Sequence, residues 1–173
     1  MNKYIQDLYR FYKLFPKNNK NSFDDIFTYK FDFHKTWMFR LLNPTNEFLF
    51  EIANFYFAKE MYENALSALL ELEEHTEPSA DLYRKIGFSY QKTYNYSLAI
   101  EYYLKAELIE TENIWTIRKI AYCYRNLKQT DKALEYYLLA DSLQPNTIRL
   151  LFTIGVCYVE MQDYDTALRY FYK

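Results

Sequence analysis

Apolar residues in this chain form short stripes at helical spacing, and the stripes themselves recur at a fixed period. Tyr83, Ile86, Gly87 and Tyr90 make one stripe at i, i+3, i+4 and i+7. After a break at Lys92-Thr93-Tyr94-Asn95, a second stripe follows in Ala99, Tyr102, Tyr103 and Ala106. Small residues stand 34 positions apart at Ala53, Gly87, Ala121 and Gly155. Each is preceded by isoleucine (Ile52, Ile86, Ile120, Ile154) and followed three positions on by tyrosine (Tyr56, Tyr90, Tyr124, Tyr158). A fourth ladder runs through Ala65, Ala99, Ala133 and Ala167 in the same register, without an insertion. The pattern predicts an array of helical hairpins, with helices over 47–59, 62–75, 81–92, 96–109, 115–127, 131–143, 149–161 and 164–173. Its units are 46–79, 80–113, 114–147 and an incomplete 148–173.

Turn chemistry agrees with this division. Thr45, Ser79, Asn113 and Thr147 end the segment before each unit, and all four side chains can accept an orphan amide hydrogen at a helix start. Pro44, Pro78 and Pro145 come just before three of these caps, where proline stops one helix and stiffens the approach to the next. The only two glycines are rungs of the small-residue ladder, where paired helices press together, and Tyr90 and Tyr103 fill the wider gaps. A chain with 2 Gly and 4 Pro suits long helices and brief turns rather than strands.

These ladders resemble the tetratricopeptide repeat, a family of paired antiparallel helices. The motif positions are filled by Tyr83, Ile86, Gly87, Tyr90, Ala99, Tyr103, Ala106 and Thr111 in the second unit. In the third they are Ile117, Ile120, Ala121, Tyr124, Ala133, Tyr137, Ala140 and Pro145. Leu151, Ile154, Gly155, Tyr158, Ala167 and Phe171 fill them in the fourth. The first unit, with Leu49, Ile52, Ala53, Tyr56, Ala65, Leu69 and Leu72, is more diverged. The family's glycine in the middle of each hairpin is absent, its place taken by Glu60, Tyr94, Lys128 and Gln162. The resemblance covers residues 46–173 and implies an all-α, right-handed superhelical solenoid of antiparallel helix pairs.

Residues 1–45 fall outside the period. Ile5, Leu8, Tyr9, Tyr12 and Phe15 form an amphipathic pattern ending near Pro16, and the aromatic-rich stretch from Phe23 to Leu42 includes Trp37. This segment is expected to be a helical cap over the first hairpin. At the other end Lys173 falls inside a helix, which leaves Tyr170 and Phe171 without a following helix. The array is therefore expected to continue in a longer protein or to self-associate through that open end.

Composition narrows the partners. The chain is half hydrophobic and 21% aromatic, far too apolar to stay disordered. With 21 basic and 23 acidic residues well mixed, it has no polyanion footprint, so nucleic acid is not an expected partner. No run approaches a membrane span and the start lacks a signal-peptide core, which points to a cytoplasmic, non-membrane protein. Cys123 and Cys157 read as small apolar core residues, and His34 and His75 have no metal-spaced companions. Asp24-Asp25 and Glu71, Glu73 and Glu74 read as a loop pair and a helix-end charge run. No catalytic residue, cofactor or metal site is expected, and the chain is not expected to be an enzyme.

The resemblance also implies where a partner would sit, because the family lines a concave groove with the first helix of each hairpin. Carried onto this chain, the groove set includes Arg84, Phe88, Gln91, Trp115, Arg118, Tyr122, Arg125, Arg149 and Phe152. Four guanidiniums among aromatic rings suit an extended segment bearing carboxylates and apolar side chains. The clamp by which some members grip the tail of heat-shock chaperones is broken here, with Phe50, Lys85 and Trp115 at clamp positions and only Asn54 and Lys119 fitting. The leading expectation is a non-catalytic protein–protein interaction scaffold that binds a peptide or helix in its groove. The alternatives are the repeat region of a larger enzyme or signalling protein, and a small secretion-type chaperone.

Overall fold

A computed structural model describes residues 7, 33–35 and 45–173 of the protein. The cap segment expected over 1–45, with Trp37 and the Asp24-Asp25 pair, otherwise lies outside the described residues. Among them, a 3-10 turn at Phe33–Lys35 precedes eight helices, and there is no strand. The helices are α1 (Asn46–Ala58), α2 (Tyr62–His75), α3 (Ala80–Lys92), α4 (Tyr96–Ile109), α5 (Ile114–Asn126), α6 (Thr130–Leu143), α7 (Ile148–Glu160) and α8 (Tyr164–Phe171). Each lies within a residue or two of the span its apolar stripe predicts. The fold is an all-α helical repeat solenoid of hairpins, and no described helix is long and apolar enough to cross a membrane.

Two compact units divide the chain, Met1–Glu77 and Pro78–Lys173. In the first, α1 packs on α2 through Leu49, Ile52, Ala53, Tyr56, Ala65, Leu69 and Leu72, all buried. His34 is buried there too: its Nε2 lies 3.3 Å from Ser67 Oγ and its ring meets Tyr56 edge-on at 5.9 Å. It is a packed histidine. In the second unit α3–α4, α5–α6 and α7–α8 form three hairpins, and α5 and α7 pack on the preceding second helices α4 and α6. Ala99, Ile100, Tyr103, Ile120 and Cys123 form one core between hairpins. Ile117, Ala121, Leu134, Tyr137, Ile154 and Cys157 belong to the next.

The hairpin turns show why the repeat tolerates the missing glycine. Glu60, Tyr94, Lys128 and Gln162 all have positive φ, from 58° to 65°. Beyond each, the amide of the next residue donates back to the ladder tyrosine's carbonyl, as in Asn95 N to Tyr90 O at 2.9 Å and Gln129 N to Tyr124 O at 3.0 Å. This is the six-to-one bond of a Schellman turn, which needs one left-handed residue. Glycine would adopt it without strain, whereas here four side chains are held in it by the bonds and packing around them.

The small-residue rungs are equally local in origin. A Cβ on Gly87 would lie 2.9 Å from Tyr103 Cδ1 and 3.2 Å from the Ala99 carbonyl oxygen, so the two helices of that hairpin cross at glycine distance. A feature the ladders conceal is a tyrosine stack in each later hairpin. Tyr90 lies on Tyr102 at 5.6 Å, Tyr124 on Tyr136 at 5.6 Å and Tyr158 on Tyr170 at 5.5 Å. In the first hairpin Ala68 stands at the equivalent of Tyr102, and Tyr56 is fully buried instead.

Three of the four predicted caps form. Thr45 Oγ1, Ser79 Oγ and Asn113 Oδ1 accept from the amides of Phe48, Leu82 and Thr116 at 3.3, 3.2 and 3.1 Å. Thr147 does not use its side chain, because the Leu150 amide donates to the Thr147 backbone carbonyl at 2.7 Å. Asp163, which the repeat pattern does not single out, caps α8 through Thr166 N at 3.2 Å.

Candidate partner-binding groove

The first helices of the later hairpins, α3, α5 and α7, form a continuous wall because specific pairs join them. Phe88 on α3 stacks on Trp115 of α5 at 6.2 Å, the two planes 28° apart. Arg125 on α5 donates from Nε and from a terminal nitrogen to Glu160 of α7, at 3.0 and 2.6 Å. Glu160 also lies within 3.4 Å of the Thr130 hydroxyl. The Arg125 hydrogen bond holds the Glu160 carboxyl below its ordinary range and raises the guanidinium in turn.

The predicted groove residues sort into three groups. Arg84 and Arg125 are committed within the protein: Arg84 pairs with Glu110, which Asn113 also holds, as Arg125 pairs with Glu160. Two of the four guanidiniums counted for a partner thus brace the wall. Gln91 is buried, and its Oε1 accepts from the Tyr103 hydroxyl at 3.0 Å. Its amide oxygen is bonded within the core and its side chain is buried. The remaining set is Phe88, Trp115, Arg118, Tyr122, Arg149 and Phe152. Arg118 and Arg149 have no carboxylate within ion-pair distance among the described residues.

The aromatic members are positioned by their neighbours. Trp115 meets buried Tyr103 edge-on at 5.8 Å, so the Gln91–Tyr103 hydrogen bond indirectly sets the indole. Tyr122 approaches Tyr96 at 6.3 Å, and Phe152 rests against Phe171 at 5.5 Å. Trp115, Tyr122 and Phe152 nevertheless remain 45%, 43% and 61% exposed. Two lysines join them: Lys92 and Lys119 hold their ammoniums over the Phe88 ring at 5.3 and 4.8 Å. The repeat register marks both, Lys92 on the groove face and Lys119 at a clamp position, and each lies four residues after an aromatic on the same helix.

Elsewhere the chemistry is quiet. Burial pushes the Cys123 thiol up to about 12 and the Cys157 thiol up to about 11, so neither is a nucleophile at neutral pH. Both are free and buried, as small core residues should be. Among the described residues no three His, Cys, Asp or Glu side chains gather as a metal site.

With the hairpins and their register in place, two further observations bear on kinship. A sequence profile of the tetratricopeptide repeat matches residues 119–147, and a second matches residues 149–173. The chain carries tetratricopeptide repeats. Solved structures share the fold of these repeats. A crystal structure of MamA superposes with a TM-score of 0.69 at 24% identity, over 73% of this chain and 74% of that one. MamA from Desulfovibrio magneticus RS-1 gives 0.66 at 19% identity, over 73% and 72%. YrrB, described as a TPR protein with an unusual peptide-binding site, gives 0.67 at 21% identity, over 73% and 65%. No curated protein matches the sequence.

Proposed function

We propose that this tetratricopeptide-repeat protein is a non-catalytic interaction module that holds a segment of a partner protein along the wall formed by α3, α5 and α7. The observation that carries this reading is the exposure of Trp115, Tyr122 and Phe152 on consecutive first helices. Large aromatic residues give much contact area for little conformational entropy and dominate binding where they are central to an interface. Leaving three of them partly in water on one wall favours a surface that a partner completes. The peptide-binding site ascribed to YrrB, which shares the fold, supports the same use of this architecture. Phe88, Trp115, Arg118, Tyr122, Arg149 and Phe152 contact the partner in this reading, while Arg84, Arg125 and Gln91 hold the wall in shape.

Selection of displayed random peptides on the full chain tests the reading. Binders should lose roughly a hundredfold in affinity on Trp115→Ala combined with Tyr122→Ala and Phe152→Ala, as removal of several hot-spot aromatics predicts. They should be indifferent to Leu108→Ala, an exposed apolar residue at the end of α4. Unchanged binding by a triple variant of native helicity would place the partner elsewhere.

A further inference from the structure

The chain's two glycines lie on the first helices of the second and fourth hairpins, and each seats an aromatic ring from the second helix of its own hairpin. A Cβ on Gly87 would lie 2.9 Å from Cδ1 of Tyr103, and one on Gly155 would lie 2.8 Å from Cδ1 of Phe171. Both rings stand sixteen residues after their glycine, at one repeat position. Bare backbone lets a ring sink deeper onto the first helix than alanine would allow.

Each seated ring in turn touches a partly exposed aromatic side chain of a first helix. Tyr103 meets Trp115 of α5 at 5.8 Å with the planes 82° apart, and Phe171 meets Phe152 of α7 at 5.5 Å and 42°. Ala121 stands at the seat in the third hairpin, where the matching ring, Tyr137, joins no exposed aromatic side chain among the described residues. Glycine seats and supported surface rings thus occur in the same two hairpins. Tyr103 is the stiffer support, since it is fully buried and its hydroxyl donates to Gln91 at 3.0 Å. Phe171 is partly exposed and is held by packing alone. A surface side chain loses rotamer freedom when a partner covers it, and a neighbour that already restricts the side chain reduces that loss.

We infer that Tyr103 and Phe171 are positioning residues of the partner-binding wall: seated on Gly87 and Gly155, they hold Trp115 and Phe152 in the orientations that meet the partner. The inference rests on the groove reading above and adds a second layer to it. Residues of α4 and α8, which form no part of the wall, set the affinity of side chains on α5 and α7.

The test uses the full chain and the peptides selected by display. Gly155→Ala pushes the Phe171 ring aside, and Phe171→Leu keeps apolar bulk but removes the ring. Each should weaken binding about fivefold, the share that one pre-ordered side chain supplies, while circular dichroism stays native. In a Phe152→Ala background neither change should weaken binding further, because nothing is left to position. Equal losses in both backgrounds overturn the inference, since Phe171 would then touch the partner itself or act through stability. Wild-type affinity in Phe171→Leu also overturns it.

Tyr103→Leu is tested in the same way against Trp115→Ala, and also without peptide. The nitrogen-15 indole signal of Trp115, identified by its loss in Trp115→Phe, should move in Tyr103→Leu and stay near its place in Tyr103→Phe, which keeps the ring. An unmoved indole in Tyr103→Leu overturns the inference whatever the peptides do. If Tyr103→Leu fails to fold, the Phe171 variants decide. Binding that survives both Trp115→Ala and Phe152→Ala sinks the groove reading and this inference together, whereas losses there with equal losses in both backgrounds sink the inference alone.

Discussion

Lys128 and Gln162 hold left-handed backbone at φ of 61° and 65°, in turns where the repeat family has glycine. A side chain in that region costs roughly 1–2 kcal/mol, and glycine loses about 0.5–1 kcal/mol more chain entropy on folding, so relief slightly outweighs the loss. Lys128→Gly and Gln162→Gly should each stabilise the protein by about 0.5 kcal/mol, read as a higher urea midpoint at unchanged slope. The opposite exchange separates the two helical glycines. Gly87→Ala places a methyl against Tyr103, whose hydroxyl is tied to Gln91, and against the Ala99 carbonyl, which belongs to a helix backbone. Overpacking of about 1–3 kcal/mol then exceeds the gain of about 1 kcal/mol in helix propensity, and the variant should be destabilised. Gly155→Ala makes its three nearest contacts with the Phe171 ring, which is 41% exposed and can swing outward, so its net effect should be close to zero. A Gly155→Ala variant as damaged as Gly87→Ala would mean that Phe171 is as fixed as Tyr103.

Helices α5 and α7 are joined at their C-terminal ends by Arg125 and Glu160, a pair that lies outside the apolar core. Because Glu160 has a lowered pKa in the fold, its contribution is present above the unfolded carboxylate value and is lost as pH falls through the lower folded one. Glu160→Gln should therefore flatten part of the acid limb of stability against pH while costing no more than about 1 kcal/mol at neutral pH, since the pair is solvent-screened. An unaltered acid limb would show that the pair contributes nothing in solution. This scale also divides what the sequence revealed from what it concealed. Helix existence and order were legible because small and aromatic residues recur in register, and Thr45, Ser79 and Asn113 mark three starts independently. The first helix of each hairpin was legible as a register, which is why Trp115, Tyr122 and Phe152 fall on first helices. Which side chains on that face are available was not, because availability depends on partners far along the chain. Arg84 is taken by Glu110, Arg125 by Glu160, and Gln91 by Tyr103. No local spacing encodes those pairings. Thr147 failed for a similar reason: a cap residue type permits a side-chain bond, but the local turn supplied the backbone carbonyl first.

In a repeat array each hairpin contacts only its neighbours, so equivalent residues should differ in energetic weight according to what stacks on them. Leu134 on α6 and Leu168 on α8 occupy the same repeat position, yet they are 8% and 51% exposed. Leu134 packs in the core with Leu150, Ile154 and Cys157 of α7, whereas Leu168, Phe171 and Tyr172 are exposed in the structure. Leu134→Ala should cost about 2–5 kcal/mol, as truncation in a filled core does, and Leu168→Ala no more than about 0.5 kcal/mol. Amide exchange should rank the same way, with α8 opening at lower free energy than α6. The comparison doubles as a test of self-association, because a second copy seated on α8 would bury the face that the single chain leaves open. Leu168→Ala would then cost several times more at high protein concentration than at low, and the wild-type unfolding midpoint would itself rise with concentration. Concentration-independent unfolding with a near-neutral Leu168→Ala would assign the α8 face to water in the isolated chain.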